Sequence, residues 1–318
     1  MKLFQKTIEY LFYLYVFLLP WQTRLIWRQG MINGGPWEYG TFSLYATEFL
    51  LILVLILGFI WLIFNRETKK RAGSDFFGFY LWIFILILAS FISTYWAPDY
   101  LLALYAFIKL MEGMGLLALA IRIKFTFKRL ALALTFAALI QSILAIYQFL
   151  NQSVIGNKWL GISEQSSASL GPAIVETITS RWLRAYGSLP HPNILGGFLA
   201  IALLMLIGLA FVSQKKIERF FILISFTLIN AALFLTFSRE SWLAYVLALA
   251  FLFYIIFKGQ NQRLKIALAD FLVITLVVGA CFGLFFKAEF FTRLRGSGRL
   301  ELKSTEERID YYDQSYKF

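Results

Sequence analysis

Apolar residues are gathered in long runs along this chain, and shorter polar connections separate the runs. A run of about 20 apolar residues forms a helix that spans the ~30 Å hydrocarbon core of a bilayer. The pattern therefore predicts an all-α polytopic membrane protein. The predicted spans, in chain order, are 8–20, 42–64, 76–95, 101–121, 130–150, 192–213, 220–237, 241–257 and 266–287.

Composition supports this class. Hydrophobic residues make up 60% of the 318 residues and charged residues 15%, whereas a soluble domain is nearer half apolar and about a quarter charged. The first apolar run follows Lys2 and Lys6, as in a signal peptide, but Pro20 and Trp21 stand where a cleavage site needs small residues. We expect this run to be a retained membrane anchor.

The basic residues favour one side of the predicted spans. Up to the ninth span, sixteen lysines and arginines lie near connections on one side and six on the other. The positive-inside rule then places the N-terminus in the cytoplasm, so that residues 1–287 form a transmembrane helical domain and residues 288–318 begin an outer loop. The net charge of +12 is therefore explained by topology and anionic lipid, and we expect no nucleic-acid partner.

The outer tail has the spacing of a surface helix. Its segment ELKSTEERIDYYDQSYKF carries Ile309, Tyr312 and Tyr316 at helical intervals. The sequence reaches Phe318 without a helix cap or breaker. We expect the chain to be a C-terminally truncated piece of a longer protein, with the outer loop incomplete.

An arginine on the predicted outer side works against the topology rule and needs its own explanation. Arg239 follows Ser238, which can cap the eighth predicted helix, and precedes Glu240, which suits a helix N-terminus. A cation there is disfavoured by about 0.3–1 kcal/mol, unless an anion binds beside the unpaired N–H groups. The alternatives are an ion pair with Glu240 or a side chain that reaches the lipid headgroups.

The segment RWLRAYGSLPHPNILGG repeats this arrangement. Pro192 suits the first turn of a helix, so that the sixth span begins near His191 on the outer side, just after Arg181 and Arg184. Two such helix starts can converge on one polyanion. The planar guanidinium binds phosphate through two hydrogen bonds and stays charged, which makes arginine the suitable cation.

Other polar residues are weaker candidates. Lys109 and Glu112 lie at i, i+3 in the fourth span, as a structural ion pair or as part of a transport path. Glu48 is either a pocket carboxylate or an interfacial residue. His191 is either a helix cap or a general base. Cys281 is expected to be a small buried hydrophobe, and a chain with one His and one Cys predicts no transition-metal site.

Two motifs carry a resemblance to a known family. The segment RAYGSLPHPNILGGFLAIALL, followed by the hairpin FLTFSRESWLAYVLALA, resembles the O-antigen ligase and polymerase family of bacterial envelope glycosyltransferases. The resemblance is most specific over residues 181–257. It implies that Arg184, Arg239 and, on a looser match, Arg308 bind the diphosphate of the donor. The histidine that acts as base in the family has no counterpart here and is expected beyond Phe318, which leaves the catalytic residue unknown.

The resemblance also implies the reaction and its partners. A glycan carried on undecaprenyl diphosphate is transferred or polymerised at the outer face of the bacterial cytoplasmic (inner) membrane, without cofactor or metal. The acceptor is a glycan, a lipid A-core or a protein, and the product belongs to lipopolysaccharide or another envelope polysaccharide. The alternatives are a transporter or flippase of a lipid-linked or anionic glycan, whose path would include Lys109 and Glu112, and a membrane scaffold without enzymatic activity.

Overall fold

The computed structural model describes residues 2–64, 77–123, 125–169, 171–177, 180–213, 215–296 and 299–316. Helix accounts for 73% of the structure. The chain forms two compact units, which are described separately below. Unit 1 consists of Met1–Leu19 and Thr23–Leu130, and unit 2 consists of Pro20–Gln22 and Ala131–Phe318.

Within the described residues, seven helices are long and apolar enough to cross a membrane by length and composition. They are Ala46–Phe64, Tyr100–Arg122, Phe127–Asn151, Pro192–Val212, Lys216–Leu235, Arg239–Lys258 and Gln262–Phe285. Each corresponds to a predicted span, although residues 42–45 of the span predicted at 42–64 form a β-strand and the helix begins only at Ala46. The chain is a multi-pass α-helical membrane protein. The predicted spans 8–20 and 76–95 coincide with two shorter helices of 17 residues each. Residue 76 lies outside the described residues, and the count of nine spans stays a prediction.

The described residues of unit 1 form four α-helices and two small antiparallel strand pairs. The helices are α1 (Lys2–Leu18), α2 (Ala46–Phe64), α3 (Phe77–Ser93) and α4 (Tyr100–Arg122). Helix α2 packs against α1 and α4, and α3 packs against α4. The strands β1 (Arg24–Arg28) and β4 (Phe42–Tyr45) pair antiparallel around the hairpin of β2 (Met31–Ile32) and β3 (Gly35–Pro36). The sequence analysis did not predict these strands, although Asn33–Gly34, both with positive φ, is a strong hairpin turn.

Several charged side chains of unit 1 form ion pairs. Lys109 Nζ lies 2.7 Å from Glu48 Oε2 and 3.6 Å from Glu112 Oε1, so α2 supplies a second carboxylate to the pair predicted within α4. In the hairpin region Arg24 forms an ion pair with Glu38. This pair holds the pKa of the Glu38 carboxyl below its usual value through the hydrogen bond from Arg24. The ion pair with Glu38 thus explains the presence of Arg24 on the predicted outer side without a bound ligand.

Unit 2 is built around one central helix. Its helices are α5 (Phe127–Asn151, which begins in unit 1), α6 (Pro192–Val212), α7 (Lys216–Leu235), α8 (Arg239–Lys258), α9 (Gln262–Phe285), α10 (Lys287–Arg295) and α11 (Arg299–Ser315). Helix α6 packs against α7, α8 and α9, and the side chains of Leu195, Leu199 and Leu203 are fully buried. A helix buried on several sides has neighbours to fix its position. It can therefore place its N-terminus accurately.

The segment between α5 and α6 is more ordered than a polar loop. The strand β5 (Ser153–Val154) pairs with β6 (Gln165–Ser166), and β7 (Ile174–Glu176) pairs with β8 (Arg181–Leu183), both antiparallel. Val154, Ile174, Leu183 and Tyr186 pack together as a small apolar core beneath these strands. The sequence analysis missed these strands, because pieces of two or three residues are too short for an alternating pattern.

The prediction for Cys281 was wrong. Its side chain is exposed on α9 rather than buried. An apolar run does not distinguish a helix face that packs against protein from one that faces lipid, and small residues occur on both.

Candidate functional site

Unit 2 brings four segments together at one end. They are the loop between β8 and α6, the start of α6, the turn between α7 and α8, and helix α10. We call Arg184, Arg239 and Arg293, together with His191 and Asn193, the arginine site. The sequence analysis raised the hypothesis that the starts of α6 and α8 converge on one polyanion. It did not identify Arg293, which lies in the tail.

Arg184 lies at the centre of this site and is buried, with 4% of its surface exposed. Its Nε donates a hydrogen bond of 2.7 Å to the carbonyl oxygen of Thr236, the C-terminal cap residue of α7. One terminal nitrogen donates to Oδ1 of Asn193 in the first turn of α6. Carbonyl groups at a helix C-terminus lack intrahelical partners and carry partial negative charge. Arg184 therefore joins the end of α7 to the start of α6.

The turn between α7 and α8 is held by a second arginine. Phe237 adopts a left-handed backbone conformation, with φ of 49°, which a residue with a large side chain rarely does. Its carbonyl oxygen accepts a hydrogen bond of 2.9 Å from Nε of Arg293 on α10. Its ring is fully buried and packs 4.9 Å from the ring of Phe282. Two successive carbonyl groups of the turn thus each bind an arginine.

The start of α8 lies directly against α6. Ser238 caps α8 by accepting from the backbone N–H of Ser241, as the sequence predicted. A Cβ added at Gly196 of α6 would come within 2.5 Å of Ser241 Oγ, so a side chain at this position would force the helices apart. Arg239 is the first residue of α8 and is partly buried. The positive ends of both helix dipoles therefore lie side by side, with Arg239 in the first turn of α8.

His191 is the N-cap of α6. Its Nδ1 accepts a hydrogen bond of 3.1 Å from the backbone N–H of Asn193. Burial lowers the pKa of His191, and the charges of Arg184 and Arg293 lower it further against a smaller opposite effect of Glu240. The imidazole is therefore neutral at neutral pH, with Nδ1 as the acceptor. This is the helix-cap alternative of the sequence analysis.

Two glutamines of α5 fix the loop that carries Arg184. Gln148 exchanges two hydrogen bonds of 2.8 and 2.9 Å with the backbone of Gly187, and Gln141 accepts one of 2.7 Å from Ser188 N. Gly187 has φ of 62°, and an added Cβ would come within 2.6 Å of Gln141. The sequence analysis missed both glutamines. The sequence signal that could have identified them is an amide side chain within an apolar span, since such a side chain needs a hydrogen-bond partner.

No family model, curated protein or solved structure matches this chain.

The remaining predicted residues belong to unit 1 or have side chains outside the described part of the structure. Arg308 belongs to α11, a helix over Arg299–Ser315, and its side chain lies outside the described part of the structure. Lys109 and Glu112 belong to unit 1. Among the described residues, no group of three or more His, Cys, Asp or Glu side chains has the arrangement of a metal site.

The His191 cap predicts a pH dependence of stability. The folded-state pKa is lowered, so the unfolded chain takes up a proton first as pH falls through the ordinary histidine value of about 6.5. Stability is then complete above that pH and declines below it until the folded-state pKa is reached. We expect the free energy of unfolding in detergent to fall between pH 7 and 5. His191→Asn, which keeps a cap acceptor without a titrating group, should have a flatter profile. An equal slope in both proteins would contradict the assignment.

Proposed function

We propose that this protein is a membrane glycosyltransferase of the O-antigen ligase and polymerase kind, and that the arginine site binds the diphosphate of a polyprenyl-linked glycan donor. The observation that carries the proposal is the convergence of two helix N-termini, those of α6 and α8, with Arg184, Arg239 and Arg293 around them. Helix N-termini and arginines both suit phosphate, through unpaired N–H groups and through bidentate charged hydrogen bonds.

The proposed reaction uses these charges for the leaving group. The anomeric carbon of the donor sugar exchanges its bond to a diphosphate oxygen for a bond to the acceptor oxygen. The diphosphate leaves with the bonding electron pair, and the acceptor hydroxyl gives its proton to a base. Fixed cations stabilise the charge that develops on the leaving oxygen. The resemblance assigns the base to a histidine other than His191, whose Nδ1 is engaged in the cap of α6.

We propose nine spans, with the N-terminus in the cytoplasm of a bacterium and the arginine site at the outer face of its cytoplasmic membrane. The positive-inside distribution of lysine and arginine supports this orientation. A donor anchored by its polyprenyl chain reaches such a site along the membrane surface, and the acceptor reaches it from the outer side.

A transporter or flippase is the second candidate, and one observation favours it. Glu48, Lys109 and Glu112 bring three charges together within two helices that qualify as membrane spans. Charged groups within spans often mark the path of a transported ion or substrate. Ion pairing between α2 and α4 also explains these residues, and a structural pair needs no substrate.

The test of the proposal uses Arg239→Gln at the protein's own chromosomal locus. A charge-assisted hydrogen bond to phosphate contributes about 1.5 kcal/mol or more, so we expect at least about a tenfold loss of glycan transfer, measured as product by immunoblotting. Arg181→Gln is the matched control, since this exposed arginine at the same end donates a hydrogen bond to the carbonyl oxygen of Ser169, and we expect it to keep full transfer.

The position of the accumulated donor separates the two candidate functions. If transfer is blocked, the lipid-linked glycan should accumulate on the outer leaflet, where an added lectin binds it in spheroplasts. Lipid-linked glycan that the lectin binds only after the membrane is permeabilised would favour the flippase. Full product in Arg239→Gln cells that contain normal amounts of the protein would refute the role of Arg239 in donor binding.

A further inference from the structure

A basic pocket lies where α6 ends and α7 begins, at the opposite end of these helices from the arginine site. The cavity has a volume of about 110 Å³, and its polar lining consists of Ser213, Lys215, Lys216, Arg219, Arg263 and Asp270. A water molecule occupies about 30 Å³ of liquid, so the space admits a group larger than one water. The proposed glycan transfer uses none of these residues.

The charges of the basic pocket are predominantly positive. Arg219 of α7 forms an ion pair with Asp270 of α9, which neutralises the carboxylate in the lining. Arg263 reaches across from α9, and its terminal nitrogen donates a hydrogen bond of 2.8 Å to the carbonyl oxygen of Ser213. Four cations and one carboxylate thus border a single small cavity. Cations gathered in this way repel one another unless an anion lies between them.

Two further features point to a ligand with acceptor oxygens. Ser213 is 7% exposed, and its Oγ is buried without a hydrogen-bond partner among the described residues. A buried hydroxyl normally has a partner, and each exception needs an explanation. The N-cap residue of α7 is Lys215, whose ammonium group has no acceptor with which to cap the first turn, and Glu218 is the acidic residue of that turn. The helix therefore directs its first N–H groups and the positive end of its dipole toward this region.

We propose that the basic pocket binds a phosphate group. The group accepts hydrogen bonds from the Ser213 hydroxyl and the first turn of α7, and its charge is balanced by Lys215, Lys216 and Arg263. Helices α6 and α7 both qualify as membrane spans, so the short connection between them lies at the level of the lipid headgroups. The phosphate therefore belongs either to the headgroup of an anionic phospholipid or to a soluble phosphate compound.

The test compares three variants of the full chain purified in detergent. Ser213→Ala removes the hydroxyl, Arg263→Gln removes a cation, and Lys265→Gln is the matched control. Lys265 lies on the same helix as Arg263 but packs over the ring of Phe257 instead of lining the pocket. Native mass spectrometry measures binding of phosphatidylglycerol against phosphatidylcholine, and calorimetry measures binding of inorganic phosphate.

We expect Arg263→Gln to weaken binding about fivefold, which is the usual contribution of one cation near an anionic headgroup. Ser213→Ala should weaken binding about threefold without lowering the melting temperature of the ligand-free protein, because the lost hydroxyl has no hydrogen-bond partner among the described residues. Lys265→Gln should bind as the wild type does. This melting-temperature comparison separates loss of ligand binding from loss of folding.

The two sources of phosphate give different results. If the protein prefers phosphatidylglycerol to phosphatidylcholine, and Ser213→Ala and Arg263→Gln both weaken that preference, the ligand is a lipid headgroup. Binding of inorganic phosphate with the same variant pattern, and no preference between the two lipids, identifies a soluble phosphate compound. Failure to bind either probe, or equal weakening in Lys265→Gln and Arg263→Gln, overturns the proposal. The proposed glycan transfer does not depend on this outcome.

Discussion

Replacing Arg184 with Met should destabilise the protein by about 3 kcal/mol, because hydrogen bonds to a charged group contribute about 1.5–3 kcal/mol each. The substitution keeps an apolar chain of similar length but removes the bonds to Thr236 O and to Asn193 Oδ1. The buried Thr236 carbonyl oxygen and the partly buried Asn193 Oδ1 then lose their charged donor. The measurement is reversible unfolding by SDS in mixed micelles, followed by tryptophan fluorescence.

Arg181→Met is the matched control for this experiment. Arg181 lies three residues earlier, is exposed, and bonds the carbonyl of Ser169 at 3.0 Å. An exposed interaction of this kind contributes about 0–1 kcal/mol, so the control should unfold close to the wild type. If the two variants lose equal stability, Arg184 does not join α7 to α6 in the way that its contacts indicate.

The burial of Arg184 changes how its part in function is tested. On sequence alone, Arg184 and Arg239 are equivalent cations before two helix starts, and the loss of either would report on donor binding. The structure shows Arg184 bonded to two protein oxygens, so its removal also disturbs the fold. Arg239 stands at the first position of α8 and is partly buried. It is therefore the better residue for a functional test.

The sequence predicted most of the helical framework because a bilayer constrains it strongly. Spans need length and continuous apolarity, and both properties are visible without a structure. The start of α6 at Pro192 and the cap of α8 at Ser238 were also predicted. Each depends on local chemistry between neighbouring residues, which a sequence displays directly.

Contacts between distant residues could not be predicted in the same way. Glu48, which forms an ion pair with Lys109, is 61 positions away from it in the chain. Arg293 donates a hydrogen bond to a carbonyl group 56 positions away. Backbone carbonyls have no sequence signature, so nothing in the residue pattern identifies Thr236 and Phe237 as acceptors for two arginines. A charge in a sequence indicates that a partner is needed, and only the fold identifies it.

Replacing Gly196 with Val should have an effect as large as that of Arg184→Met, for a different physical reason. The added Cβ would lie 2.5 Å from Ser241 Oγ, 2.9 Å from Ser241 Cβ and 3.1 Å from Ser238 Cβ. Short serine side chains have little freedom to move away, and overpacking of a close interface costs about 1–3 kcal/mol. With a branched side chain we expect about 3 kcal/mol in the same SDS assay, together with separation of α6 from α8.

The next residue provides the control, since a Cβ added at Gly197 meets no atom within 4 Å. Gly197→Val should therefore be neutral or slightly stabilising, because valine has a higher helix propensity than glycine by a few tenths of a kcal/mol.

Glycan transfer should fall in Gly196→Val and persist in Gly197→Val, because only the first displaces the two helix N-termini relative to each other. Normal stability with lost transfer in Gly196→Val would mean that the site tolerates the added volume but not the altered spacing of its positive helix ends. Equal behaviour of the two variants would show that the close approach of α6 and α8 contributes neither to stability nor to the proposed donor site.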